Sequence, residues 1–273
     1  MAEHAASCEG VVRIYWSPGG EVHALKGVDA VLPAGSLTAL TGPSGSGKTS
    51  LLKILAAQDR PTAGLAVVAG EPLTALSGRR LRALRRRHIG YVFARPPDNL
   101  QPELTVVGHL REAGRLRGLP RPVVRQETEE LVGLLGLTER ADHRPDQLSG
   151  GEQQRLAFAQ AVVGSPALVV ADEPTGELDS ATTADLLGVV RRLAHRGTTV
   201  LVATHDPQAA EVADQVLAMR SGTIAAEQVA GRRLAVIDGN GRLQLPDEVL
   251  RRFHTRRVEI DVDESGVHLR EPS

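Results

Sequence analysis

The chain has 273 residues, 41% of them hydrophobic, which suits one large domain or one domain plus a small appendage; at 2% aromatics its core must be built from Leu, Val, Ile and Ala. A formal net charge of −1 argues against a general nucleic-acid binder, which is usually basic. One cysteine, Cys8, cannot close an internal disulfide, so a reducing, cytoplasmic setting is expected; the opening MAEHAASCEG lacks the basic-then-apolar plan of a signal peptide, and no apolar run approaches the ~20 residues that span a bilayer.

In chain order, Cys8 falls in a segment that reads as a frayed start. Val11 to Tyr15, Val28 to Leu32 and Ser36 to Leu40 follow as short strand-like runs broken by Gly and Pro. Leu37 to Leu40 leads straight into a glycine-rich loop and then the apolar-periodic SLLKILAA, a strand–loop–helix unit. Residues 73–145 turn Leu- and Arg-rich with helical spacing, within a helical subdomain placed at about 73–165. Strand signals return at Leu168–Ala171 and Thr199–Ala203, joined by a helical stretch over 180–195, as a parallel βαβ unit requires. Val216–Met219 and Thr223–Ala225 read as a closing strand pair around Ser221–Gly222. Beyond Gly231 the pattern shifts to a strand, a Gly-Asn-Gly turn, a second strand, a short helix and a last strand pair, separable from the α/β body. The domains are therefore expected at 1–228 and 232–273.

GPSGSGKT at 42–49 fills every fixed position of the P-loop pattern, between a strand and a helix. Gly42, Gly45 and Gly47 let the backbone curl so that N–H groups point at phosphate oxygens, and the helix behind adds its positive end. The expected binding set is Gly42, Pro43, Ser44, Gly45, Ser46, Gly47, Lys48, Thr49 and Ser50, with Lys48 on the β- and γ-phosphates and the Thr49 hydroxyl on Mg²⁺. ALVVADEP at 167–174 is an apolar strand ending in two carboxylates at the mouth of the sheet. Asp172 is expected on Mg²⁺, directly or through water, and Glu173 on the attacking water.

LSGGEQQR at 148–155 is the signature sequence of ABC ATPases, and the chain up to about residue 228 resembles that family. The resemblance implies an α/β P-loop core with an N-terminal antiparallel β subdomain and a helical subdomain, binding ATP and Mg²⁺. Ser149, Gly150 and Gly151 open a helix, offering a hydroxyl and bare N–H groups to an anion. In the family this turn meets the γ-phosphate held by a second subunit, so the resemblance implies a dimer, with a membrane permease as its partner and a place on the inner face of the cell membrane. Tyr15 matches the ring that stacks on adenine, with Trp16 next door as a competing stacker; Asp179 in GELD matches a loop touching the partner subunit, and His205 in ATHD matches the switch histidine near the γ-phosphate. EPTGELDS, IGYVF and LQPELTV most resemble the lipoprotein-release and macrolide-export branch.

Two positions depart from that pattern. Ala94 stands directly after IGYVF, where the family has a glutamine that contacts metal and water; the loop ARPPDNLQPEL that follows is longer than usual. The expected consequence is weaker metal coordination or looser coupling with ATP still bound. Glu177 replaces an asparagine common in the GELD loop. The basic run RRLRALRRRH at 79–88 is either a solvated helical face or a contact for permease acids or lipid phosphates. Residues 232–273 resemble the AbrB/SpoVT swapped-hairpin family, in which two chains interlock strands into one small barrel. Eight arginines against eight acids there favour dimerisation over nucleic-acid binding, although Arg251, Arg252, Arg256 and Arg257 cluster. The functions open on this reading are a transport ATPase, a soluble ABC ATPase with a regulatory or DNA-binding tail, and a non-hydrolysing scaffold.

Overall fold

The computed structural model describes residues 4–229, 232–237, 259–263 and 266–270, with single positions between 241 and 251. Its centre is a seven-stranded sheet in the order β11-β10-β9-β3-β8-β7-β6. The strands are β3 (Leu37–Thr41), β6 (Ile89–Val92), β7 (Leu168–Asp172), β8 (Thr199–Ala203), β9 (Gln215–Arg220), β10 (Thr223–Val229) and β11 (Arg232–Ala235). β3, β6, β7, β8 and β9 run parallel, and β10 and β11 close the edge antiparallel.

The inner strands are apolar throughout because both faces are covered. Alternate residues serve different cores. Leu168, Val170, Leu201 and Ala203 pack with α1 (Lys48–Leu55) on one side, while Val169, Ala171, Val200 and Val202 pack with α5 (Gly150–Val162) and α6 (Ser180–His195) on the other.

A second, four-stranded sheet lies on the α1 side, in the order β2-β1-β4-β5, built from β1 (His4–Ser17), β2 (Gly20–Pro33), β4 (Ala63–Val68) and β5 (Glu71–Pro72). Its first two strands are far longer than the short runs expected. The start expected to fray is instead a paired strand: Cys8 lies opposite Ala30 on one side and Ala66 on the other and is 3% exposed. Burial pushes its thiol up to about 12, so it is chemically inert.

The helical region contains α2 (Gly78–His88), α3 (Val106–Arg117) and α4 (Arg121–Leu134), with β6 inserted between α2 and α3. The helical expectation over 73–145 needs that one correction: Ile89–Val92 is a four-residue strand, extended because it zips onto β7 at the sheet edge.

The tail is not cleanly separate from the body. β11 pairs with β10 and extends the central sheet, so the expected boundary near 231 falls within a hairpin. The last strand pair is present as β12 (Glu259–Asp263) and β13 (Gly266–Arg270), joined in register from Glu259↔Arg270 to Asp263↔Gly266. The Gly-Asn-Gly turn and the short helix expected between β11 and β12 lie largely outside the described residues.

Candidate nucleotide site

Strand order alone brings the site together. β8 lies between β3 and β7, and Ala203 pairs with Leu40 on one side and Asp172 on the other. Two hydrogen bonds carry the ladder past the strand ends, Thr204 N–H to the Leu40 carbonyl at 3.1 Å and Glu173 N–H to the Ala203 carbonyl at 2.8 Å. The P-loop, the acidic pair and His205 thus leave three neighbouring strands at one edge, the crevice where open α/β sheets bind ligands.

The P-loop backbone needs glycine at both ends of its curl. Gly42 has φ 146° and lies against the Met219 carbonyl; Gly47 has φ 108°, and a Cβ there would sit 2.6 Å from the Ala24 carbonyl oxygen. No side chain caps α1, so its first N–H groups remain free to meet an anion. Lys48 folds back over the loop: its Nζ donates to the Gly42 carbonyl at 2.7 Å and lies 3.8 Å from Glu173 Oε1. The Ser46 hydroxyl is buried and bonds no other described residue. A short loop with an uncapped helix start, a lysine satisfied only by carbonyls and one distant carboxylate, and an orphan hydroxyl fits a nucleotide phosphate.

Asp172 ends β7 beside the Thr49 side chain. Burial raises its carboxyl above the usual range, partly opposed by the Thr49 hydroxyl. Thr49 and Asp172 supply two hard oxygens. Among the described residues no cluster of three or more His, Cys, Asp or Glu forms a metal cage. The Thr49 and Asp172 oxygens fit Mg²⁺, which keeps several waters and phosphate oxygens in its shell.

Glu173 is the strained member, with φ 47°. Its Oε2 accepts from the His205 backbone N–H at 3.2 Å and lies 3.0 Å from His205 Nδ1, on a side chain 75% exposed.

Lys48, Thr49, Asp172, Glu173 and His205 are therefore brought together within one chain. The rest of the expected P-loop residues join them, whereas Ser149, Gly150, Gly151 and Asp179 stand apart. Ser149 caps α5, accepting from the Glu152 N–H at 3.3 Å while Glu152 accepts from the Ser149 N–H at 2.8 Å. This reciprocal box is legible in the sequence as Ser-x-x-Glu, although only its serine stands among the expected site residues. Asp179 caps α6 through the Ala181 and Thr182 N–H groups, which hold its carboxyl below the usual range. Gly151 is packed against Thr182, so the Ser149 turn and the Asp179 loop share one surface. Among the described residues no hydrogen bond or ion pair joins that surface to the P-loop.

Tyr15 lies on β1, two residues past Arg13, whose partner Leu25 packs against Gly47. Its ring carries the Arg13 guanidinium at 4.5 Å, and its hydroxyl bonds Asp59 at 3.0 Å, so one face is already taken. Neighbouring Trp16 is 80% exposed.

Beyond β6, Asn99 clamps the loop that starts at Ala94: it accepts from the Phe93 N–H and donates to the Phe93 and Arg95 carbonyls. Buried His109 holds the far end, accepting from the Gln101 N–H at 2.9 Å and lying 2.8 Å from the Thr105 carbonyl. Neither residue carries a motif that would have marked it in the sequence.

The family described as ABC transporter matches residues 25–176. The macrolide export ATP-binding/permease protein MacB of Bartonella henselae is 39% identical over 232 residues, 84% of this chain and 34% of the relative. This chain thus spans about a third of the length of such curated relatives. The ATP-binding cassette MJ0796, solved as a dimer in a post-hydrolysis state bound to ADP and Pi, superposes with TM-score 0.73 at 31% identity, covering 83% of this chain and 99% of that one. The cbiO1 protein of Clostridium perfringens, part of the ABC transporter complex cbiONQ, superposes with TM-score 0.75 at 26% identity, covering 82% and 88%.

Proposed function

The chain belongs to the ABC transporter family and is one of its ATPases, and we propose that it is a nucleotide-binding subunit that pairs with a second cassette to drive a separate membrane permease. The observation that carries the reading is the convergence of Lys48, Thr49, Asp172, Glu173 and His205 at the ends of β3, β7 and β8.

On this reading the loop from Gly42 to Ser50 wraps the phosphates, and Lys48 swings from the Gly42 carbonyl to neutralise their charge. Thr49 and Asp172 would hold Mg²⁺, which when bound would neutralise charge on the phosphate oxygens. Glu173 orients the attacking water and accepts its proton; the new bond runs from water oxygen to the γ-phosphorus, and the bond to the bridging oxygen of ADP breaks. His205 positions Glu173 through its backbone N–H and its ring.

Ser149 and Gly150 lie exposed at the start of α5, and on this reading they meet the γ-phosphate held by the other cassette, with Asp179 beside them at the same interface. MJ0796 is described as dimeric, which supports this pairing. Tyr15 offers its open ring face to adenine. Among the described residues no helix is long and apolar enough to cross a membrane. On this reading a permease spans it and the cassette works at its cytoplasmic face. The kinship with a macrolide export protein supports a partner of the export type. Pairing of the 232–273 tails, in the manner of a swapped hairpin, is supported by the exposed Ile260 and Val267 of β12 and β13, which a two-stranded sheet cannot cover by itself.

The test is phosphate release from Mg²⁺-ATP by the purified chain and by its Glu173→Gln variant. The reading expects ATP binding in both and a loss of about 10²–10⁴ in rate for the variant. A variant that turns over like the parent would remove Glu173 from its role.

A further inference from the structure

Tyr15 stands near the exposed tip of the β1–β2 hairpin, yet its ring is held at one face and at its hydroxyl. Arg13, two residues earlier on β1, lays its guanidinium 4.5 Å from the ring centre. The Asp59 carboxylate joins the two. Arg13 reaches it with two arms of its fork, Nε to Oδ2 at 2.9 Å and a terminal nitrogen to Oδ1 at 2.9 Å, and the Tyr15 hydroxyl donates to Oδ2 at 3.0 Å. The Arg13 and Asp59 side chains are only 24% and 22% exposed, so this two-point pair is sheltered from solvent, where such geometry is specific.

Asp59 belongs to the turn that leaves the P-loop helix. Its N–H and that of Gln58 both donate to the Lys53 carbonyl near the end of α1, at 3.1 and 2.9 Å. A little further on, Thr62 is stitched to β1 twice: its N–H donates to the Val12 carbonyl at 2.7 Å, and its hydroxyl accepts from the Ile14 N–H at 3.1 Å. One helix therefore carries the phosphate loop at its N-terminal end and, through residues 58–62, the Tyr15 ring at the other.

We propose that Arg13 and Asp59 are positioning residues for the nucleotide base: they fix the Tyr15 ring at a set distance from the P-loop and back it with a cation, leaving one face for adenine. The inference rests on the adenine reading of Tyr15 above and adds the groups that turn that ring into a rigid platform. A tyrosine near a hairpin tip otherwise turns about χ1 and χ2, and ordering it only on binding costs affinity. A guanidinium on the far face holds the ring without occupying the near one. Trp16 is no second platform for the same base. It lies opposite Glu21 as Tyr15 lies opposite Val22, in unbroken register, so strand alternation turns it to the other face of β1.

The test titrates the full chain and its variants calorimetrically with Mg²⁺-ATP and with Mg²⁺-tripolyphosphate, which has no base. The variants are Tyr15→Ala, Arg13→Ala, Asp59→Ala and the double variant Tyr15→Ala, Asp59→Ala. Tyr15→Ala should weaken ATP binding by at least about 10-fold, the loss of a stacking ring. Arg13→Ala and Asp59→Ala should each weaken it by about 3- to 10-fold. Tripolyphosphate binding should stay at the parent's level in all of them, which also shows that the P-loop is folded. Because Asp59 acts through the ring, its removal should cost nothing further once Tyr15 is alanine. An equal loss from Asp59→Ala in both backgrounds overturns the proposal. So does ATP binding by Arg13→Ala and Asp59→Ala as tight as the parent's, or a matching loss for tripolyphosphate. A parent that binds tripolyphosphate and ATP equally well, with Tyr15→Ala unaffected, would remove the base platform and the proposal with it. A parent that binds neither would strike the nucleotide reading of the whole site.

Discussion

Glu173 is held at φ 47°, in the left-handed region, by a hydrogen bond from its N–H to Ala203 and by the turn that follows β7. A residue with a Cβ is disfavoured there by about 1–2 kcal/mol, whereas glycine is not. Glycine in turn loses about 0.5–1 kcal/mol more chain entropy on folding than alanine. Glu173→Ala and Glu173→Gly both delete the carboxylate and its contacts with Lys48 and His205, so comparing them isolates the backbone. The glycine variant should be about 0.5–1 kcal/mol more stable than the alanine variant, the reverse of the usual order. Urea denaturation followed by circular dichroism, without nucleotide, measures the difference. Both variants should lose hydrolysis. An alanine variant as stable as the glycine variant, or more so, would refute the idea that the chain stores strain at the carboxylate proposed to activate water.

Ala94→Gln should raise phosphate release by restoring a group able to reach metal and water; an unchanged rate would count against any role for that position. Ser149→Ala removes a cap that Glu152 reciprocates and should cost about 1 kcal/mol in urea unfolding, with loss of nucleotide-driven pairing. Burial keeps His109 neutral in the fold, below the ordinary histidine value of 6.5, so the unfolded chain takes up the proton first and stability falls as pH drops beneath that value. Comparing unfolding at about pH 7.5 and about pH 5.5 should show that acid loss in the parent and a flatter profile in His109→Gln.

The parts of the site that short motifs encode are legible in the chain itself. A P-loop and an acidic strand end are contiguous strings whose chemistry is set within a few residues, so Lys48, Thr49, Asp172 and Glu173 can be named from those strings alone. Their convergence with His205 also follows, because parallel strands deliver their C-terminal ends to one edge. What escapes depends on partners far apart in the chain. Cys8 looks frayed because its two flanking strands, around Ala30 and Ala66, are distant in sequence. Tyr15 matches a stacking ring, yet Arg13 and Asp59 occupy one face and the hydroxyl, a clamp spanning 44 residues. Ile89–Val92 is too short to announce a strand and is extended only because β7 is beside it. Gly231 looks like a boundary because composition changes there, while backbone pairing of β10 with β11 is indifferent to composition.

Complementation between two defective chains reaches the core of the account. In a Glu173→Gln background, to prevent turnover, one chain would carry Lys48→Ala and the other Ser149→Arg, each expected to stay monomeric with ATP in sedimentation velocity runs. Mixed, they form one intact composite site, Lys48 from one copy facing Ser149 from the other, and ATP should drive a heterodimer. A mixture that sediments no differently from its two components, while the parent Glu173→Gln chain dimerises, would contradict a nucleotide shared between two cassettes.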